Sequence, residues 1–172
     1  IDKIRDTAFS HDRLFIVEVM GRDTGYIALN VGLAGGAEEV FVPESPLPLE
    51  KVIEHIESSM QRGKLSSILV TAEGQKPGRA YDLAEAIRKK SGFDAKVCVL
   101  GHMQRGGSPT AADRILASRL GASAVEGLLK GYTDVAIGIQ NDQISTTSFI
   151  DATTKKKQLK LELLQLIQIL ST

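Results

Sequence analysis

Arg13–Met20 reads RLFIVEVM, and the residues just beyond it, Gly21–Gly25, read GRDTG. A short apolar run rich in Val and Ile, closed by glycine and polar residues, predicts a buried strand that ends in a turn. Beyond that turn, the composition of Tyr26–Ala34 predicts a short packed helix, which Gly35-Gly36 ends. Strand, turn and helix in this order form the first unit of an alternating chain.

The same alternation continues outward. Val40–Val42 predicts a second strand, closed by Pro43, Pro46 and Pro48. Leu49–Gln61 is apolar at Leu49, Val52, Ile53, Ile56 and Met60, a helical spacing. Ser66–Thr71 (SSILVT) predicts a third strand, Glu73–Gly78 a polar loop, Tyr81–Lys90 a helix and Lys96–Leu100 (KVCVL) a fourth strand. Ser108-Pro109 is expected to open a helix running towards Gly131, with serine as cap and proline at the first helical position. Val135–Ile139 and Ile144–Phe149 predict two further strands joined by the turn-prone pair Asn141-Asp142, and Gln158–Leu170 predicts a last packed helix. Such alternation implies an α/β fold of three layers, a mostly parallel sheet with flanking helices.

Composition narrows the function classes. The 172 residues are 42% hydrophobic and 24% charged, and Lys plus Arg equals Asp plus Glu at 21 each. A chain with no net charge has no overall field to hold nucleic acid or an anionic membrane. Cys98 is the single cysteine, so no intrachain disulfide or structural zinc site can form, and a reducing, cytoplasmic setting is expected. No apolar run approaches the ~20 residues that span a bilayer. The start, Ile1-Asp2-Lys3-Ile4-Arg5-Asp6, has neither the pattern of a signal peptide nor an initiator methionine, and predicts a chain that is processed, truncated or cut from something longer.

In open α/β sheets ligands sit at the carboxyl ends of strands, so the residues just past each strand matter most. After the first comes Met20-Gly21-Arg22-Asp23-Thr24-Gly25, where glycines let the backbone approach a ligand and Arg22 offers a fork of donors suited to phosphate. The helix start beyond it is expected to add free amides and a positive dipole end. After the third strand comes Glu73, an acceptor for sugar hydroxyls. After the fourth comes Gly101-His102-Met103-Gln104-Arg105-Gly106-Gly107-Ser108-Pro109, an imidazole, an amide and a guanidinium within four residues. Singly, each of these is better explained as a solvated or structural residue. Jointly, Arg22, Glu73, His102 and Arg105 describe a pocket for a small hydroxyl-bearing phosphate ester. The chain has no GxxxxGK[ST] loop, no HExxH and no GxSxG, and so neither a nucleotide-phosphate cradle nor an obvious proton acceptor.

At these loops the sequence resembles the C-terminal half of bacterial-type ATP-dependent 6-phosphofructokinase. The resemblance rests on VEVMGRDTGYIAL (Val17–Leu29), AGGAE (Ala34–Glu38) and GHMQRGGSPTAADRILASRLGASAV (Gly101–Val125), with IDKIRDTAFSHDR at the start and GIQNDQI (Gly138–Ile144) also fitting. It extends to about Ala152 and weakens after that. It implies a glycolytic transferase, a cytoplasmic, allosteric homotetramer that moves a phosphoryl group from Mg2+-bound ATP to the 1-hydroxyl of fructose 6-phosphate. By position, Met20, Gly21 and Arg22 would line the sugar-phosphate site, with Arg22 steadying the transferring group. Glu73 would hold sugar hydroxyls, and His102 and Arg105 the sugar and its 6-phosphate. Arg13 would reach the 6-phosphate of a neighbouring subunit. Lys96 stands where a second such arginine is common, and a lysine there neutralises phosphate only as a point charge. Arg5, Glu38, Arg62 and Lys64 fall at effector-site positions, with Glu38 meeting the effector's magnesium.

The resemblance also implies a layout and a division of labour. Residues 1–103 would form the fructose-6-phosphate-binding domain, 104–153 a segment of the larger nucleotide-binding domain, and 154–172 a helix packing on the substrate domain. The catalytic Asp and most contacts to Mg2+ and ATP would belong to a missing N-terminal half, so this chain alone is predicted inactive. Ile115, Leu116, Val135, Ile137 and Ile139 would expose apolar surface made for that partner. Two other readings compete with the ATP-dependent enzyme. One is a pyrophosphate-dependent phosphofructokinase, and the other a non-catalytic sugar-phosphate-binding regulatory subunit.

Overall fold

The β1 strand (Leu14–Val19) lies inside a four-stranded, wholly parallel sheet, and its burial on both faces explains why its sequence is continuously apolar rather than alternating. The computed structural model describes residues 1–9, 14–63, 66–75, 77–155 and 158–171. Helix α1 (Asp2–Phe9) precedes β1, and α2 (Tyr26–Ala34) follows it. Then come β2 (Glu39–Phe41), α3 (Leu49–Gln61), β3 (Ser67–Ala72), α4 (Arg79–Ser91) and β4 (Ala95–Val99). The strand order is β2-β3-β1-β4.

Two cores cover the two faces of the sheet. On one, Val17, Val19, Ile68, Val70 and Ala72 pack with Ala28 and Leu29 of α2 and with Ile167 of the last helix, α7 (Glu162–Leu170). On the other, Leu14, Ile16 and Leu69 pack with Val52 and Ile56 of α3 and with Ala80 and Ile87 of α4. Successive strand residues therefore serve opposite layers, as the pleat requires. The His55 ring on α3 ties β2 to the end of α7. Its Nδ1 is 2.7 Å from Glu39 Oε1 and its Nε2 is 3.3 Å from Ser171 Oγ.

The chain divides into two compact units, one of residues 1–106 with 159–172 and one of residues 107–158. The second contains α5 (Ala111–Leu129), an antiparallel hairpin of β5 (Val135–Gln140) and β6 (Gln143–Ser148), and α6 (Phe149–Thr154). Asn141 and Asp142 both take positive φ, +50° and +61°, which makes the tight hairpin turn. Ile115, Leu116 and Ile139 are exposed, whereas Val135 and Ile137 are half-buried. Among the described residues, no helix is long and apolar enough to cross a membrane.

Several elements differ from expectation. Helix α5 is opened by Thr110 rather than by Ser108-Pro109. Thr110 Oγ1 accepts the Asp113 N–H at 3.2 Å while Asp113 Oδ2 accepts the Thr110 N–H at 2.8 Å, a reciprocal box that outcompetes a lone serine two residues earlier. Phe149 leaves β6 for α6 because Ser148 Oγ accepts the Asp151 N–H at 3.1 Å and caps a new turn. Helix α7 starts at Glu162 rather than Gln158, and α1 was not foreseen. The expected domain limits at 103/104 and 153/154 compare with divisions after Gly106 and Gln158.

Candidate functional site

Because β3, β1 and β4 are neighbours and parallel, the loops after them share one rim of the sheet. Main-chain and side-chain hydrogen bonds lock the three together. The Glu73 N–H donates to the Val19 carbonyl at 2.9 Å, and the Leu100 N–H donates to the Glu18 carbonyl at 3.1 Å. The Met20 N–H donates to Gln104 Oε1 at 2.8 Å, which joins the loop after β1 to the loop after β4. Gln75 Nε2 donates to Asp23 Oδ1, which joins the loops after β3 and β1.

The Met20–Gly25 loop is a tight turn in which Thr24 donates its N–H to the Gly21 carbonyl at 2.9 Å. A Cβ at Gly21 would collide with the Thr24 carbonyl oxygen, so the turn needs glycine there for space. Arg22 takes φ +46°, left-handed backbone that is costly for a residue with a side chain, and its guanidinium is exposed. Strain of this kind concentrates at functional loops. Past β4, Gly101–Arg105 forms a single 3-10 turn that starts with Gly101 at φ +48° and leaves His102 and Arg105 exposed. Glu73, half-buried, follows β3 on the side of β1 away from β4, so Arg22 stands between it and the His102–Arg105 turn in strand order. The rim thus carries Arg22, His102 and Arg105 as donor-bearing groups and Glu73 as an acceptor carboxylate.

The remaining expected residues lie elsewhere. Lys96 pairs in register with Phe15, in the amino-terminal half of β4, and its ammonium is held by Asp94 at 2.6 Å. It stands ~10 Å along the strand from Val99, away from the rim. Arg13 and Lys64 lie outside the described residues. Arg5 donates to the Gly36 carbonyl at 2.7 Å and to the Gly35 carbonyl, beside the Ala34–Glu38 turn. Glu38 is only 6% exposed, and one of its carboxylate oxygens accepts the Ile68 N–H. Arg62 donates to the Ser58 and Ser59 hydroxyls of its own helix at 2.8 and 3.2 Å.

One expectation about the rim needs correction. The start of α2 does not offer only free amides, because both oxygens of Glu44 lie 3.0 Å from the Gly25 nitrogen and accept its N–H. The Val42–Ser45 bridge folds Glu44 back onto the helix, so the chain's own carboxylate meets the positive dipole end. Sequence reasoning also passed over Glu18 and left Gln104 without a partner. Glu18 is the lone charge in an apolar strand, a visible signal, but Gln104 has no mark that separates it from an ordinary loop amide.

The comparisons with known proteins agree with this fold. The phosphofructokinase family model matches residues 1–128. The chain is 54% identical over 171 residues to the ATP-dependent 6-phosphofructokinase 1 of Thermus thermophilus and 53% identical over 171 residues to the ATP-dependent 6-phosphofructokinase of Brevibacillus brevis. Each alignment covers 99% of this chain and 53% of the relative, so the chain spans about half the length of these curated relatives. Among solved structures, it is similar to phosphofructokinase from Saccharomyces cerevisiae with a TM-score of 0.80 and 34% identity, over 88% of this chain and 22% of that one. It is also similar to a pyrophosphate-dependent phosphofructokinase from Marinobacter aquaeolei, with a TM-score of 0.77 and 27% identity over 93% and 45% of the two chains. A parallel sheet whose strand ends gather Met20–Arg22, Glu73 and His102–Arg105, together with a family match over more than half its length, places this chain in the phosphofructokinase family.

Proposed function

We propose that this chain supplies the sugar-phosphate site of a 6-phosphofructokinase, which transfers a phosphoryl group from ATP to the 1-hydroxyl of fructose 6-phosphate. The observation that carries the reading is the gathering of Arg22, Glu73, His102 and Arg105 on three adjacent strand ends, tied by the Met20–Gln104 hydrogen bond. Glu73 accepts sugar hydroxyls, His102 and Arg105 hold the sugar and its 6-phosphate, and Arg22 faces the charge that develops on the transferring group. These residues bind and orient, which is much of what phosphoryl transfer asks of a protein.

Lys96 cannot serve this rim in its own chain, since it stands in the other half of β4. That position supports a role for Lys96, with Arg13, at the 6-phosphate of a neighbouring subunit in a homo-oligomer, a tetramer by family resemblance. Identity near half to relatives named as ATP-dependent, against 27% to the pyrophosphate-dependent structure, favours ATP as donor. Mg2+ would bring charge neutralisation of the ATP phosphates. Among the described residues no three His, Cys, Asp or Glu side chains cluster to hold a metal, and the Mg2+ ligands would belong mainly to the nucleotide-binding half. The partner implied is a nucleotide-binding half with the proton-accepting Asp.

Calorimetric titration of the chain with fructose 6-phosphate, beside Arg105→Ala, tests the reading. Binding that the variant weakens by at least tenfold is expected. A folded chain that binds no sugar phosphate, or an Arg105→Ala variant that binds as the parent does, would overturn it.

A further inference from the structure

Glu18 is a charged residue in the middle of a core. It is 1% exposed, on the sheet face that carries Leu14 and Ile16, with Thr71 beside it on β3 and Val99 on β4. A carboxylate is costly in such a place unless its oxygens are hydrogen-bonded. Both are: Oε1 accepts the Gly78 N–H and Oε2 the Ala80 N–H, each at 2.8 Å. Gly78, at φ +105°, is the N-cap residue of α4 and has no side chain with which to cap it. Glu18 therefore caps α4 from another strand.

The consequence reaches the rim. The loop from Glu73 to Gly78 is pinned at both ends by consecutive residues of β1. The Val19 carbonyl takes the Glu73 N–H and the Glu18 carboxylate takes the Gly78 N–H. Two residues beyond Glu18, β1 runs into Met20-Gly21-Arg22. We propose that Glu18 is a positioning residue for the sugar-phosphate rim, fixing the Glu73 loop against the strand that carries Arg22. This inference rests on the reading of the rim as a sugar-phosphate site. It adds a buried residue that touches no ligand and acts through main-chain amides. The carboxylate also brings a negative charge to a helix start, which holds the amides more firmly than a neutral acceptor would.

The test compares the full chain with Glu18→Ala, Glu18→Gln and Glu85→Gly. Glu85 is an exposed residue of α4, so its glycine variant weakens the same helix through propensity and the lost surface pair with Lys89 and leaves Gly78 anchored. Affinity for fructose 6-phosphate is expected to fall about tenfold in Glu18→Ala. The fall should be smaller in Glu18→Gln, whose amide oxygen keeps one acceptor, and absent in Glu85→Gly. Amide exchange at Glu73, Gly74 and Gly78 is expected to quicken at least tenfold in Glu18→Ala and not in Glu85→Gly. Equal affinity in Glu18→Ala and the parent, or an equal loss in Glu85→Gly, would overturn the proposal. If the parent binds no fructose 6-phosphate, the sugar-phosphate reading itself falls. The exchange arm then decides the positioning role: a Glu73 loop loosened only in Glu18→Ala supports it, and one equally loosened in Glu85→Gly overturns it.

Discussion

Replacing Gly21 with alanine should damage the fold and the rim together, and by amounts the geometry sets. The added methyl would press on the Thr24 carbonyl oxygen and lie 3.4 Å from Ala72 Cβ. The oxygen belongs to the backbone, so it cannot rotate aside and the turn must open. Opening breaks the Thr24 N–H bond to the Gly21 carbonyl, at 2.9 Å, and the weaker Thr24 hydroxyl bond at 3.3 Å. One net hydrogen bond is worth about 1 kcal/mol. Forcing a methyl into a filled space adds roughly 1–3 kcal/mol. A loss of about 2–4 kcal/mol should lower the urea midpoint of the first unit by about 1–2 M at a slope of roughly 2 kcal/mol per molar. Arg22, one residue on, keeps φ +46° only while the turn is closed, and its release removes a charge-assisted contact worth about 1.5–3 kcal/mol. Affinity for fructose 6-phosphate should then fall by roughly ten- to a hundredfold. Urea melts and calorimetric titrations of parent and variant check both numbers. Gly101→Ala serves as the reference, since Gly101 has φ +48° but open space around it, and should cost only the ~1–2 kcal/mol of left-handed strain. A Gly21→Ala variant as stable as the parent and with equal affinity would refute the steric argument and the link from turn to Arg22.

Leu69 is fully buried between β3 and the α3–α4 layer, so Leu69→Ala should cost about 3 kcal/mol, read as a drop in denaturation midpoint with no change in slope. A cost below about 1 kcal/mol would mean that this layer is loosely packed. Glu39 has its carboxyl pushed up, first by burial, against the lowering effect of its 2.7 Å hydrogen bond to His55. Its folded value therefore lies above the unfolded one, so the stability it contributes is complete below about 4.5 and is lost as pH rises through the folded value. Glu39→Gln should flatten that part of the stability curve, and a variant curve parallel to the parent's from about pH 4 to 7 would contradict it.

The elements legible in the residues are those whose cause is local. Helices α2 and α3 run over Tyr26–Ala34 and Leu49–Gln61, as composition, apolar spacing and flanking Gly and Pro predict, because each bears its face and its stop signals in its own sequence. The β5–β6 hairpin follows in the same way from Asn141-Asp142. A cap is already less local in its choice: Ser108-Pro109 and Thr110 compete for one helix, and the partner three residues on at Asp113 decides it. Parallel pairing is decided at long range. No property of Glu18 announces that Gly78 and Ala80, sixty residues away in the chain, will present their amides to it, and none of Glu44 that it will meet Gly25. The strand order β2-β3-β1-β4 brings the loops after residues 19, 72 and 99 to one rim and leaves Lys96 in the other half of its strand. Side-chain chemistry and local periodicity were readable along the chain, because they depend on neighbours a few residues apart. Which charges are buried, which amides they satisfy and which residues can share a ligand followed only from tertiary packing, because those contacts join segments that the linear order keeps apart.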